Sequence, residues 1–278
     1  MVFLKLIMIL NSMKKNKKLS IVIVSYNSKE NLENCIESIY DKIGDFIDWE
    51  VVIVNNDKKE NLSKMKVDFT KIKIINHKKN VGFGAGMNLG IKNSKGEFLL
   101  ILNPDTEIKT DNIDQIIKRF ESEKMIGIIG GGILNRNGEK QEWSAGKEIS
   151  FYDLVRNNMG ISRSSKIWNS SNEIECDWVA GTVLFIKKSL FEKLNGFDDT
   201  NFFMYFEDMD LCKRARKLGK AVFFYPKFKV YHGNGDSYED QRLQKKHYYD
   251  SMENYLKKHS KLFSLWTARF IRRNFIKK

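Results

Sequence analysis

The chain has 278 residues, 42% hydrophobic and 30% charged, with a formal net charge of +13 at pH 7. That length makes one large domain or a domain and a half, and it buries roughly three quarters of its unfolded surface, so no disulfide is required. The charge invites a nucleic-acid partner, but its placement argues against one. Residues 1–18 hold five lysines and no acid, and residues 239–278 hold eleven Lys/Arg against four Asp/Glu, which leaves 19–238 at about +1. A nucleic-acid-binding domain carries its patch on the fold itself, whereas basic ends suit an anionic membrane surface.

Cys35, Cys176 and Cys212 are scattered, odd in number and outside any ligand spacing. They read as reduced packing thiols in a cytoplasmic protein. Met1–Leu10 is apolar but too short to span a bilayer. Its lysines, Lys14, Lys15, Lys17 and Lys18, follow the apolar stretch, the reverse of a secretory signal. The expectation for this stretch is a frayed leader, or a functional start at Met13.

In chain order, Leu19–Ser25 is a β-branched strand, followed by Leu32, Cys35, Ile36 and Ile39 at helical spacing with Asn27 or Ser28 as N-cap. Trp49–Val54, Lys71–Ile75 and Glu97–Leu102 are further buried strands. A glycine-rich loop and a helix precede the last of them, and Ile113, Ile116, Ile117 and Phe120 mark the next helix. This alternation predicts an α/β fold, a mostly parallel sheet with helices on both faces. Asn137-Gly138 marks a hairpin turn, and 144–175 is patternless and polar. Val179–Ile186 is a strand, Glu207–Leu218 a helix, and Ala221–Tyr225 and Lys229–His232 are short strands. The expected organisation is a leader over 1–18, a catalytic domain over 19–238 and a basic amphipathic helical tail over 239–278.

Ligands of open sheets sit beyond the carboxyl ends of the strands. Three strand ends here carry polar clusters: Ser25-Tyr26-Asn27, Asn55-Asn56-Asp57 and Asn103-Pro104-Asp105. The segment Asn80–Gly90, with Gly82 and Gly84 near its start and Asn88 near its end, permits close backbone approach to a diphosphate or sugar, or a loop needing positive φ. Asp105, one residue past a proline turn, can face a hard cation or cap the turn. Glu207, Asp208 and Asp210 open a helix behind an aromatic run, Phe202-Phe203-Met204-Tyr205-Phe206. They can complement the helix dipole, or one can be held beside a pocket as a general base. His232 can ligate metal or form an ordinary hydrogen bond.

Taken together, SYN, NVGFGAGMNLG, LLILNPDT, DWVAG, GFD with FFMYFEDMDLCKR, and VYHG resemble the family-2 glycosyltransferases of GT-A fold, and within them the rhamnosyltransferase-like branch of surface polysaccharide synthesis. The resemblance covers about residues 19–260. It implies an inverting enzyme that moves a sugar, rhamnose or similar, from a dTDP-, UDP- or GDP-linked donor to a glycan or lipid-linked acceptor hydroxyl with Mg²⁺ or Mn²⁺. It implies Asp208 as base with Glu207 its neighbour, Asp105 and His232 at the metal and diphosphate, and Trp178 and Gly181 on the acceptor side. Ser25, Tyr26, Asn27, Asn55, Asn56, Asn80, Gly82, Gly84, Asn88 and Asn103 fall to the donor. Asn103 replaces the usual first acid, and Asn55-Asn56 replaces the usual Asp-Asn at the pyrimidine–ribose end.

Other function classes fit less well. An adaptor that uses the basic ends on a membrane or nucleic acid leaves the acid set of the body idle. A nucleotidyltransferase needs a phosphate loop of Gly, Arg and Lys near the first strand, which SYNSKENL lacks. Met252, Leu256, Leu262, Phe263, Trp266 and Phe270 recur at helical steps among Lys257, Lys258, Lys261, Arg269, Arg272 and Arg273. Up to about Leu256 this helix caps the domain, and beyond it the pattern suits a membrane interface. The expected location is the inner face of the plasma membrane.

Overall fold

The computed structural model of the protein describes residues 18–44, 47–77, 79–148, 162–233, 241–259 and 269. The leader up to Asn16 and Lys17, residues 149–161 of the polar segment, and the tail positions Leu262, Phe263, Trp266 and Phe270 lie outside the described residues.

Strands β1 (Lys18–Ser25), β2 (Asp48–Asn55), β3 (Ile72–Asn76) and β4 (Phe98–Leu102) form a parallel half-sheet in the order β3-β2-β1-β4. Helices α1 (Lys29–Lys42) and α2 (Phe83–Lys92) connect its strands. Period-2 alternation makes β1 apolar on both sides: Ile21 and Ile23 join the core shared with Leu32, Cys35 and Ile36 of α1, while Val22 and Val24 join the core shared with Met87 and Ile91 of α2. Gly90 lets α2 lie against β1, since a Cβ there would come 2.5 Å from Val22 Cγ1.

The second half is mixed. It comprises β5 (Thr106–Ile108), α3 (Ile113–Ser122), β6 (Ile126–Leu134), β7 (Ala145–Gly146), α4 (Ser165–Trp168), β8 (Ile174–Cys176), β9 (Trp178–Val179), β10 (Val183–Lys187), α5 (Lys188–Lys193), α6 (Glu207–Lys217), β11 (Ala221–His232) and α7 (Gln241–His259). The main sheet runs β3-β2-β1-β4-β10-β6-β11-β5, with β8 also on β11. β10 runs antiparallel to β4, and β11 pairs parallel to β6. Thus the expected flanked sheet is present.

Two details differ from expectation. The run Val179–Ile186 is broken at Ala180–Thr182, so β9 pairs with β7 while β10 joins the main sheet. The two expected strands at 221–225 and 229–232 are one strand with an irregularity between Tyr225 and Lys229. The Asn137-Gly138 turn is a hairpin: Gly138 has φ +81 and Leu134 bridges Lys140. The three cysteines are buried free thiols.

Helix α7 packs into the same core as α6 through Met252, Tyr255 and Leu256. Its end is pinned by Asp210, which is 0% exposed and meets Arg214 at 2.7 Å, Lys258 at 2.7 Å and His259 at 2.6 Å. Burial alone would raise the Asp210 pKa, but the bonds from His259, Lys258 and Arg214 outweigh it and bring it down to about 2. A depressed carboxylate stabilises the fold above its ordinary pKa, and that stability, about 2 kcal/mol, is lost as pH falls from about 4 through about 2. Asp210→Asn leaves Arg214 and Lys258 without their carboxylate and is expected to cost about 3–5 kcal/mol, a fall in Tm on the order of 10 °C for a protein of this size. A thermal melt within 2 °C of wild type would refute this anchoring role.

Candidate active site

The parallel pairing brings the carboxyl ends of β1, β2 and β4 to one edge, with Ser25 opposite Asn55 and Ile23 opposite Leu102. Beyond that edge lies a cleft of about 990 Å³. Tyr26, Asn56, Asn80, Gly82, Asn103, Asp105, Trp178, Gly181, Glu207, Asp208 and His232 all line it. Folding thus brings these sequence-predicted residues together.

The reversed direction of β10 explains how distant segments meet. Val183 pairs with Leu102, so the preceding Ala180–Thr182 link runs beside the end of β4, and Asn103 N–H donates to Thr182 O at 3.0 Å. On the other side of the same link, Gly181 N–H donates to Asp208 Oδ2 at 2.8 Å. Pairing of β11 with β5 places His232 opposite Thr106, and Gly233 N–H donates to Asp105 O at 2.8 Å.

His232 Nε2 stands 3.3 Å from Asp105 Oδ1 and 3.3 Å from Asn103 Nδ2. Its other nitrogen, Nδ1, is 2.9 Å from Gln141 Oε1. A glutamine oxygen only accepts, so Nδ1–H donates to Gln141, and this contact turns Nε2 toward Asp105 and Asn103. Ligands on adjacent corners of an octahedron with bonds near 2.1 Å lie roughly 3 Å apart. The Asp105–His232 pair therefore fits a hard divalent cation. No group of three or more His, Cys, Asp or Glu side chains suited to holding an ion occurs among the described residues. The remaining positions would go to phosphate and water, the habit of Mg²⁺.

At the start of α6 the carboxylates differ sharply. Glu207 is 5% exposed and its Oε2 has no partner. Burial, then the charge of Asp208, pushes its pKa well above the ordinary range. Burial also raises Asp208, but Gly181 and Met209 N–H groups, at 2.8 Å and 2.7 Å, pull it back. With two amides on Asp208 and none on the free oxygen of Glu207, burial pushes Glu207 up further than Asp208.

Five expected donor residues do not line the cleft. Ser25 is buried and its Oγ lies 3.0 Å from Ser28 Oγ. Asn27 is exposed in a left-handed turn of φ 49. Asn55 Nδ2 is occupied by Glu60 O and Asn76 Oδ1, both at 3.0 Å. Gly84 packs on Phe197, where a Cβ would lie 3.2 Å from Phe197 Cβ. Asn88 brackets the chain at Phe197, donating to its O and accepting from its N–H, each at 2.9 Å. These residues shape the loops that carry the lining residues. Trp178 does line the cleft, with its Nε1–H directed to Lys147 O at 3.0 Å. Tyr205 of the aromatic run lines it too, and Gln141, Glu142, Trp143, Gln244 and Tyr248 do so without any sequence signal of their own.

Solved structures share this architecture. S. aureus TarS residues 1–349 in complex with UDP matches at TM-score 0.59 and 15% identity, over 93% of this chain and 72% of that one. Mannosyltransferase PcManGT from Pyrobaculum calidifontis, with GDP-Man and Mn²⁺, matches at TM-score 0.60 and 12% identity, over 94% and 71%. The fold is that of the GT-A glycosyltransferases. The family model described as Glycosyl transferase family 2 matches residues 20–192, and the chain belongs to that family. Its relatives include the low-salt glycan biosynthesis hexosyltransferase Agl10 of Haloferax volcanii, 30% identical over 72% of this chain and 62% of that protein. They also include rhamnosyltransferase WbbL of Escherichia coli, 26% identical over 76% and 82%. This chain thus spans less than two thirds of the Haloferax relative.

A raised pKa stabilises the fold below the ordinary carboxylate pKa, and that contribution is lost as pH rises through the folded pKa. Glu207→Gln keeps the shape and removes the titration. Its Tm relative to wild type is therefore expected to increase as pH rises above the ordinary carboxylate range toward the raised folded pKa. A Tm difference independent of pH would show that the Glu207 pKa is not raised.

Proposed function

We propose that the protein transfers a sugar from a nucleoside diphosphate carrier to an acceptor hydroxyl, with inversion at the anomeric carbon and dependence on a divalent cation. One observation carries this reading: the Ala180–Thr182 link hydrogen-bonds both Asn103, beside the Asp105–His232 pair, and Asp208. A cation and diphosphate subsite and a general base thereby share one short rigid link.

Electrostatics supports the cation. The cleft is lined by Asp105, Glu142, Glu207 and Asp208 and, among the described residues, by no lysine or arginine. An uncompensated pair of like charges 4 Å apart costs about 4 kcal/mol near a protein surface. Asp105 and His232 would hold Mg²⁺ or Mn²⁺, which when bound offsets the diphosphate charge and eases its departure. Asn56 supports a base or ribose contact: it is 2% exposed, its Nδ2 donates to Gly82 O at 3.1 Å, and its Oδ1 has no partner. Such an orphan acceptor suits an N–H or O–H of the nucleoside.

Asp208 accepts the proton of the acceptor hydroxyl while that oxygen bonds to C1. The C1–O bond to the diphosphate breaks on the opposite face, and the diphosphate leaves with the electron pair. Release of nucleoside diphosphate from a panel of dTDP-, UDP- and GDP-sugars, with and without EDTA, tests the reading. Full turnover in EDTA, or turnover of none of them, overturns it. Asp208→Asn is expected to lower kcat by roughly 10²–10⁴-fold with nucleotide binding retained. Wild-type turnover in that variant, with Asp210→Asn or Glu207→Gln dead, would move the base elsewhere.

The basic tail supports peripheral attachment to an anionic membrane as part of the same reading. No helix among the described residues is long and apolar enough to cross a membrane. Each cation near an anionic surface contributes about 1 kcal/mol. Deleting 262–278, beyond the end of α7, is expected to release the folded protein from anionic vesicles. Sedimentation of the truncated protein with those vesicles would refute the attachment.

A further inference from the structure

One wall of the cleft comes from no strand-end motif. Helix α7 contributes Gln244, Tyr248 and Met252 to the lining, beside Tyr205, which lies two residues before Glu207. Gln244 Nε2 donates to Tyr205 Oη at 2.9 Å. The Tyr248 ring is held by Tyr205, Phe206 and Tyr249 at centroid distances of 5.6, 5.3 and 5.3 Å, yet it remains 41% exposed. A ring fixed on three sides with its open part in a cleft is a stacking platform, and the neighbouring amide and phenol oxygen offer polar bonds at its edge.

We propose that the acceptor is a saccharide seated against α7, its ring on Tyr248 and its hydroxyls on the Gln244–Tyr205 pair, so that the attacking hydroxyl faces Asp208. This rests on the sugar-transfer reading above and adds the acceptor's class and the residues that select it. Charge decides between the two chemical classes of acceptor. A phosphate acceptor would bring its anion against Glu207 and Asp208 with no lysine or arginine among the described lining residues. A neutral pyranose meets no such conflict, and hydroxyls match what Gln244 and Tyr205 offer. The apolar Met252 and the tyrosine rings cover the ring faces that carry only C–H groups.

The test uses the full chain, Mn²⁺, whichever nucleotide sugar it turns over, and two acceptor series: alkyl glycosides of neutral hexoses and N-acetylhexosamines, and an isoprenoid monophosphate. Transfer to at least one glycoside and none to the monophosphate is expected. Tyr248→Ala is expected to raise the glycoside KM at least tenfold while kcat at saturating acceptor changes less than threefold. Tyr248→Phe, which keeps the ring, should restore a KM within threefold of wild type. Gln244→Ala, a smaller change at a half-buried surface position, should raise KM about threefold to tenfold, and it decides the matter if Tyr248→Ala does not fold. Transfer to the monophosphate, or a wild-type acceptor KM in folded Tyr248→Ala or in Gln244→Ala, overturns the proposal while leaving sugar transfer standing. If the wild-type protein turns over no nucleotide sugar, both readings fall together.

Discussion

Three carboxylates in the first turn of α6 set the terms for everything around them. Glu207, Asp208 and Asp210 sit where a helix N-terminus favours negative charge, but that dipole alone cannot offset three carboxylates crowded into one turn. Each is handled differently. Asp210 takes Arg214, Lys258 and the His259 ring as partners on the side away from the cleft. Asp208 takes two backbone N–H groups. Glu207, with an unpartnered oxygen, has its pKa pushed well above the ordinary range by burial and by the charge of Asp208. The broken strand at Ala180–Thr182 follows from the second requirement, because a continuous strand would commit the Gly181 N–H to a sheet partner. Docking of α7 follows from the first, because Lys258 and His259 reach Asp210 only when that helix lies along α6.

What was legible in the sequence divides along the same physical line. Strand ends and their polar clusters could be read because uninterrupted apolar runs need no partner to be recognised: β1, β2 and β4 fall within a residue or so of expectation, and Tyr26, Asn56, Asn103 and Asp105 reach the cleft. Which side of a loop a polar residue faces could not be read. Asn88 stands in the glycine-rich segment with the same composition as Asn80, yet Asn80 borders the cleft while Asn88 ties down Phe197. The strand β6 was hidden by its glycines, which local propensity counts against a strand. Their reason is distant: a Cβ on Gly130 would lie 2.4 Å from Val179 Cβ, and one on Gly131 2.9 Å from Phe228 Cδ1. Gln141 carried no signal at all, since a lone amide in a polar stretch acquires meaning only when folding brings His232 to it.

Strain connects the carboxylate turn to the rest of the cleft. Tyr205 and Phe206, consecutive and neither of them glycine, hold φ values of 69 and 67, a conformation costing on the order of 1–3 kcal/mol per residue. Such a segment persists only if its surroundings over-determine it. Helix α7 does this along its length: Gln244 holds the Tyr205 hydroxyl, Ser251 Oγ donates to Met204 O at 2.7 Å, Asn254 Nδ2 donates to Asn201 O at 2.7 Å, and Tyr255 packs on the Phe206 ring at 5.6 Å. The left-handed pair turns the chain sharply enough for Glu207 to begin a helix directly beneath the cleft instead of a turn further away. It also leaves the Tyr205 phenol beside the carboxylates on the cleft side.

The distribution of cations completes this logic. The body of the chain is nearly neutral, so a lysine or arginine committed to one site is missing from another. Arg214 and Lys258 serve Asp210, Lys213 and Arg216 serve Glu148, and Arg119 serves Glu123 and Glu173. All of these pairs brace helices or the back of the domain. The cleft keeps carboxylates without counter-charges, which raises the free energy of any anion entering alone and leaves a neutral ring unaffected. Selectivity of this kind comes from what the chain withholds from the site as much as from what it presents there.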